Sequence, residues 1–172
     1  MIVVADTSPL NYLILIDQID LVRVLYGKVF IPPAVADELT HTRTPEEVRW
    51  WIAQPVPWLE VRAPRSIPGD FPSELGPGEC EAIALGQELH ADALLLDEWD
   101  GRAEAERRHL TVVGTLRLLG DAAEHELIDL PQTLALLRKT NFRASDYLFE
   151  QVLSRHAHWQ LKQAEKQTGP KD

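Results

Sequence analysis

Cysteine is almost absent from this 172-residue chain. Cys80 stands alone, which excludes an internal disulfide framework and a cysteine-based zinc site. Positive charge is scarce: 17 Lys and Arg face 27 Asp and Glu, a formal net charge of -10. That balance excludes a protein that coats nucleic acid through bulk positive charge, but not an enzyme that acts on nucleic acid through metal ions. Long apolar runs are missing, so no segment reads as a membrane span and no membrane is expected among the partners. The opening "MIVVADTSPLNYLILI" has no basic start and is interrupted by Asp6. It therefore does not read as a signal peptide, and cytoplasmic residence is expected. Neither common phosphate-cradling glycine loop occurs, and there is no internal repeat or low-complexity segment.

What is present is an alternation of short apolar runs with amphipathic segments. "IVVA" at 2–5, "KVFI" at 28–31, "LLL" at 94–96 and "TVVG" at 111–114 read as buried strands, with "LEVR" at 59–62 a further short one. Between them lie helical stretches. Ser8-Pro9 supplies a cap and first turn, and Asp17 or Asp20 a second cap. Thr44, Pro45 and Glu47 form a capping-box pattern, and Thr115 caps a helix over "TLRLLGDAAEHEL", residues 115–127. Helices are expected near 79–90, 131–139 and 145–165, the last interrupted, and Trp50, Trp51 and Trp58 as core or contact residues. Uniformly apolar strands alternating with helices imply an α/β fold: a three-layer α/β/α sandwich with a mostly parallel central sheet, plus C-terminal helices.

In such folds functional side chains gather at the carboxyl ends of the strands. Asp6 and Asp97 each follow directly on an apolar strand, although Asp is also a common turn residue and cap. Glu38, three residues beyond Val35, borders the apolar face of its helix. Glu79 lies on the face of Ala82, Ile83 and Gly86. Glu81 is rotated roughly 200° from Glu79, so it is either a further ligand or a helix cap. Asp100 is either a cap or a supporting acid. If four carboxylates converge, each pair ~6 Å apart repels by about 2–3 kcal/mol at an effective dielectric near 20. A hard divalent cation removes that conflict. Magnesium suits an all-oxygen site with retained waters, and manganese substitutes for it. Such an ion lowers the pKa of bound water and stabilises charge at phosphorus.

The segments "VVADTSPLNYL", "IPPAVADEL", "LGPGECEAIALGQELHADALLLDEWDGR" and "TVVGTLRLL", in that order over roughly residues 2–120, resemble the PIN-domain ribonucleases, and among them the VapC-like toxin branch. The resemblance implies a metal-dependent endoribonuclease that hydrolyses RNA phosphodiester bonds with one or two Mg2+ or Mn2+ ions, as the toxin of a toxin–antitoxin pair. Asp6, Glu38, Glu79 and Asp97 match the family's four acids, and Asp100 an accessory acid. Glu81 is compared with the Glu-x-Glu pair of flap endonucleases, which look like distant cousins. Thr7, Ser8 and Thr115 match small hydroxyl residues near the site, with helix capping the competing role. Arg102, with Arg107, Arg108, Lys139 and Arg143, is a candidate phosphate contact, and Trp99 a candidate stacking surface or a core residue. The implied partners are RNA, a cognate antitoxin protein and a second copy in a homodimer.

Residues 1–142 are then the nuclease domain, 143–166 a C-terminal helical extension of that domain and 167–172 a disordered tail. Two other classes compete. One is a non-catalytic module that uses the same fold for protein contacts. The other is a phosphatase of the haloacid dehalogenase type, which wants a second Asp two residues after the first, where Ser8 stands here. His156 and His158, two apart, do not face one way on a helix and are not expected to bind a metal together.

Overall fold

The computed structural model describes residues 1–168. Contacts group them into two compact units, Met1–Thr115 and the residues from Leu116 onward. Residue 143, where the helical extension of the same domain is expected to begin, lies within the second unit. Of the tail expected to be disordered, 169–172 lie outside the described residues.

The first unit is built on a parallel sheet of order β3-β2-β1-β4-β5. Its strands are β1 (Val3–Ala5), β2 (Val29–Ile31), β3 (Leu59–Val61), β4 (Ala93–Leu95) and β5 (Val112–Val113). β1 and β2 begin one residue later than the apolar runs suggest, β3 ends one residue earlier, β5 is shorter by one residue at each end, and β4 is shifted back by one. Leu96 still donates its N–H to Val113 O at 3.1 Å beyond the end of β4. The helices are α1 (Thr7–Leu15), α2 (Asp20–Tyr26), α3 (Pro33–Thr40), α4 (Glu46–Ile52), α5 (Pro77–Glu88) and α6 (Trp99–Arg107). The architecture is the expected three-layer α/β/α sandwich.

Side-chain alternation decides what each face of the sheet holds. Val4, Leu94, Leu96 and Val112 join Ala82, Ile83 and Leu85 of α5 and Ala105 of α6 in one buried cluster. Val3, Ala5 and Leu95 point the other way and are also fully buried. This is why the strands read as unbroken apolar runs. The register pairs Ala5 with Leu95, and Asp6 N–H continues the ladder to Leu95 O at 2.9 Å. Asp6 and Asp97 are thus delivered to the same edge of the sheet. Strand order reverses between β1 and β4, and that is where a crevice opens in such sheets.

Several caps differ from expectation. Helix α1 begins at Thr7 with Asp6 in the cap position, so Ser8-Pro9 lies inside the first turn. Helix α4 begins at Glu46 and has no side-chain cap. Pro45, not Thr44, stands in the cap position, so the capping box does not form; the Thr44 hydroxyl donates to Glu38 O at 2.6 Å. Helix α5 starts at Pro77, two residues early, because proline without an N–H fits the first helical turn. Trp50 is 67% exposed, not core, while Trp51 and Trp58 are half-buried with ring centroids 5.8 Å apart.

The second unit comprises α7 (Thr115–Glu124, from Leu116), α8 (Leu130–Arg138) and α9 (Asp146–Thr168). Helix α9 runs without the expected interruption. Arg155 pairs with Asp121 and Glu124 of α7 at 2.8 and 2.9 Å. Phe149 is edge-on to Phe142 with Arg138 over its ring. His156 stacks on Trp159 while His158 is exposed. Among the described residues no helix is long and apolar enough to cross a membrane.

Buried charge in the first unit is paired away from the sheet edge. Glu104 is 5% exposed and accepts from Arg107 at 2.7 and 2.8 Å and from Arg108 Nε at 2.5 Å. Arg108 continues to Asp70 at 2.8 Å and lies over the Phe71 ring, tying the 64–76 loop to α6. These two arginines, candidates for phosphate, are already committed. The hydrogen bond from Arg107, with that from Arg108, holds the Glu104 carboxyl down to about 2, against an ordinary 4.5. A depressed carboxylate stabilises the fold above its unfolded pKa, and that contribution is lost as pH falls through the folded value. Glu104→Gln should therefore lower stability at pH 7. In urea unfolding at a series of pH values, the gap to wild type should narrow between pH 4.5 and 2.

Candidate active site

Asp6 is the centre of the edge. It is 3% exposed, and its Oδ1 is buried with no hydrogen-bond partner among the described residues. Burial pushes its carboxyl up to about 7. Thr7 N–H opposes that shift, Glu38 and Glu79 add to it by like-charge repulsion, and Ser8 N–H opposes it again. The two amides at the start of α1 ease the charge without making a full cap hydrogen bond.

Glu38 is carried by α3, whose Val35 and Leu39 are fully buried. Its carboxylate accepts from the Thr7 hydroxyl. Helix α3 opens on Pro32 and Pro33, neither of which has an N–H, so Ala34 supplies the first free amide. That amide donates to Glu81 Oε2 at 2.9 Å. Glu81, expected as a further metal ligand or a cap of its own helix, caps the neighbouring helix instead and fixes α3 to α5.

Glu79 stands in the first turn of α5. Its Oε2 accepts from Gly76 N–H at 2.9 Å, the reciprocal half of a capping box whose other half glycine cannot supply. Its Oε1 is buried and unpartnered. Burial raises its carboxyl, opposed by Gly76 N–H, with Glu98, Asp100 and Glu38 adding to the rise.

Asp97 follows β4 and is held at both oxygens by Thr115, from N–H at 2.7 Å and from the hydroxyl at 2.6 Å. Burial raises its carboxyl too, against the Thr115 hydrogen bonds and the Arg102 charge. Arg102 reaches back to Leu96 O at 3.4 Å, so this guanidinium, expected at the substrate, balances Asp97. Ser8 donates to Glu98 at 3.2 Å. All three expected hydroxyl residues therefore spend their protons on acids of the site. Asp100 is exposed in the first turn of α6, and Trp99 beside it is 81% exposed, not core.

Asp6, Glu38 and Glu79 feel one another directly. Asp97 belongs to an adjoining group with Glu98, Arg102 and Thr115. Among the described residues no three Asp, Glu, His or Cys side chains come close enough to hold a metal ion between them. The arrangement is an open acidic edge with two buried oxygens left bare, each of which costs free energy while it lacks a partner.

The family model of the DUF3368 PIN domain matches residues 2–158. The chain belongs to the PIN-domain family. A PIN domain is a nuclease-type fold, so the strand-end acids are its candidate catalytic residues. A solved PilT N-terminus domain protein from the hyperthermophilic archaeon Sulfolobus solfataricus is 16% identical, covers 84% of this chain and 100% of its own, and superposes with a TM-score of 0.48. No curated protein matches the chain. Within this PIN domain, sequence reasoning passed over Glu98 and the glycines at 78, 101 and 114, which lie against site side chains. Glu98 is signalled by its place next to Asp97; the glycines carry no signal without coordinates.

Two outcomes follow for the PIN domain. A carboxyl raised by folding stabilises the native state below its unfolded pKa, and that stability is lost as pH rises through the folded value. In chelator, Asp6→Asn should therefore be more stable than wild type above pH 7, by on the order of 3 kcal/mol. The gain should vanish below pH 4, as denaturant titration across that range would register. Glu81→Ala should cost about 1–2 kcal/mol by uncapping α3, and Glu81→Gln, which keeps an acceptor, should recover most of it in the same measurement.

Proposed function

We propose that this PIN domain is a metal-dependent endoribonuclease acting with Mg2+ or Mn2+, one or two ions, as the toxin half of a toxin–antitoxin pair. The supporting observation is the pair of bare, buried oxygens, Asp6 Oδ1 and Glu79 Oε1. They share an edge with Glu38, and burial makes their ionisation costly. A cation would remove that cost. The spacing of the acids suits magnesium, which takes one or two carboxylates and keeps several waters in place of an all-protein cage.

Asp6, Glu38 and Glu79 would hold the ion, with Asp97 alongside. Bound there, it would supply an acidified water and stabilise charge on the departing oxygen. The protein's own residues do the rest. Thr7 and Thr115 fix the Glu38 and Asp97 carboxylates, so those groups need not reorganise when substrate arrives. Arg102 keeps the Asp97 side of the edge from excess negative charge. Trp99, exposed one residue from Asp100, offers an unpaired base a stacking face. With a chain charge of -10, that contact and the ion would substitute for bulk electrostatic attraction. A homodimer neutralised by a cognate antitoxin protein completes the proposal; the resemblance of the ordered segments is its support.

The competing reading, a non-catalytic protein-binding module, draws on the absence among the described residues of three converged acids and on the exposed Trp50. Cleavage of single-stranded RNA in Mn2+ separates the two. Wild type should cut. Asp6→Asn and Asp97→Asn should lose at least 100-fold in rate while remaining folded, consistent with losing an electrostatic catalytic element. Expression should arrest growth, and Asp97→Ala should relieve the arrest. Cleavage by Asp6→Asn at the wild-type rate, with contaminating nuclease excluded, would remove the nuclease reading.

A further inference from the structure

Gly78 and Gly101 lie inside helices, in the first turns of α5 and α6, and both are buried. Neither has the positive φ that would demand glycine. In ordinary helical backbone, alanine is the better residue, because glycine loses more conformational freedom on folding. Another constraint must account for them.

It lies in what a Cβ would meet. At position 78 the three nearest heavy atoms all belong to Glu38: Oε1 at 2.6 Å, Cδ and Oε2 at 3.1 Å. At position 101 a Cβ would strike Glu79 Oε1, the buried oxygen without a partner, with Leu96 Cδ2 at 3.1 Å and Glu79 Cδ at 3.3 Å. Gly86 and Gly120 face only apolar side chains, and Gly69 has nothing within 4 Å. The two helical glycines that meet carboxylates are those beneath two acids of the proposed site.

We propose that Gly78 and Gly101 are positioning residues: the bare Cα of each seats one carboxylate, Glu38 and Glu79 respectively, where a divalent ion needs it. This rests on the metal reading above. A methyl at either position would push the carboxylate aside. A glutamate tip can swing, so the fold would survive, but Glu38 would strain or lose its contact with the Thr7 hydroxyl, a modest cost to stability and a larger one to the site. Seating also links the elements. Glu38 of α3 rests on α5, and Glu79 of α5 rests on α6, so the glycines set the spacing of acids that come from different helices.

Two measurements test this, neither of them activity. The first is a double-mutant cycle in thermal unfolding without metal. Gly78→Ala should shift Tm at least about 2–4 °C more favourably in a Glu38→Ala background than in wild type, because the methyl then meets no carboxylate. Additive Tm changes would overturn the seating. The second is Mn2+ affinity, read by the loss of the free-ion electron paramagnetic resonance signal. Gly78→Ala and Gly101→Ala should each weaken binding at least tenfold while Gly69→Ala leaves it unchanged. Wild-type affinity in both glycine variants would overturn the positioning role and leave the metal reading standing. No Mn2+ binding by wild type would overturn the metal reading itself, and with it the glycines' role toward an ion.

Discussion

The structure turns on a carboxylate placed where it should not ionise. Asp6 is nearly fully buried at the end of a central strand, flanked by Glu38 and Glu79, with one oxygen bare. Removing a charge from water is expensive, and like charges beside it add to the cost. A fold gains nothing in stability from such a group. Proton uptake or a bound cation would each relieve that cost, and the local architecture eases it in the meantime. Amides at the start of α1 face Asp6, Gly76 N–H holds one oxygen of Glu79, and hydroxyls hold Glu38 and Asp97.

Those holding groups come from different elements, and parallel topology brings them together. β1 and β4 are adjacent and in register, so Asp6 and Asp97 arrive at one edge. Thr115, just past β5, reaches Asp97 from the next strand over. Thr7 reaches Glu38 across 31 residues of chain. Glu38 and Asp97 are thus each clamped by a partner from another segment, so their positions are properties of the packed unit and not of their own elements. Glu81 applies the same logic one step further out: it touches no other acid of the site but fixes the helix that carries Glu38.

The acids at the strand ends could be read from the sequence because strand-end position is a one-dimensional fact: an apolar run stops and an Asp follows. Asp6 and Asp97 were legible in that way, and the alternating runs gave away the sheet. The division of labour among them was not. Helical periodicity puts Glu81 near Glu79 but cannot reveal that the first donor of α3 lies within its reach, since that depends on two prolines elsewhere and on how two helices cross. Thr44 fits a capping pattern in sequence, yet Pro45 takes the cap position and the Thr44 hydroxyl donates to Glu38 O. Caps are local rules, and tertiary partners outbid them. The glycines were illegible for the same reason, because a close approach is a statement about two segments.

The chain also sorts its acids by what they face. Glu104 is as buried as Asp6, yet two arginines satisfy it and pull its carboxyl far down; it behaves as structure. Asp6 and Glu79 have no cation and are pushed up. Arg107 and Arg108 are committed to Glu104 and Asp70 away from the edge, and Arg102 leans toward Asp97. A protein with 27 acids and 17 basic residues leaves some acids unpaired by arithmetic alone. That Asp6 and Glu79 each keep a buried oxygen bare at one sheet edge, while exposed acids such as Asp70 find arginines, is the reverse of what solvation alone would select. This inversion is what supports the proposal that a cation binds at the edge.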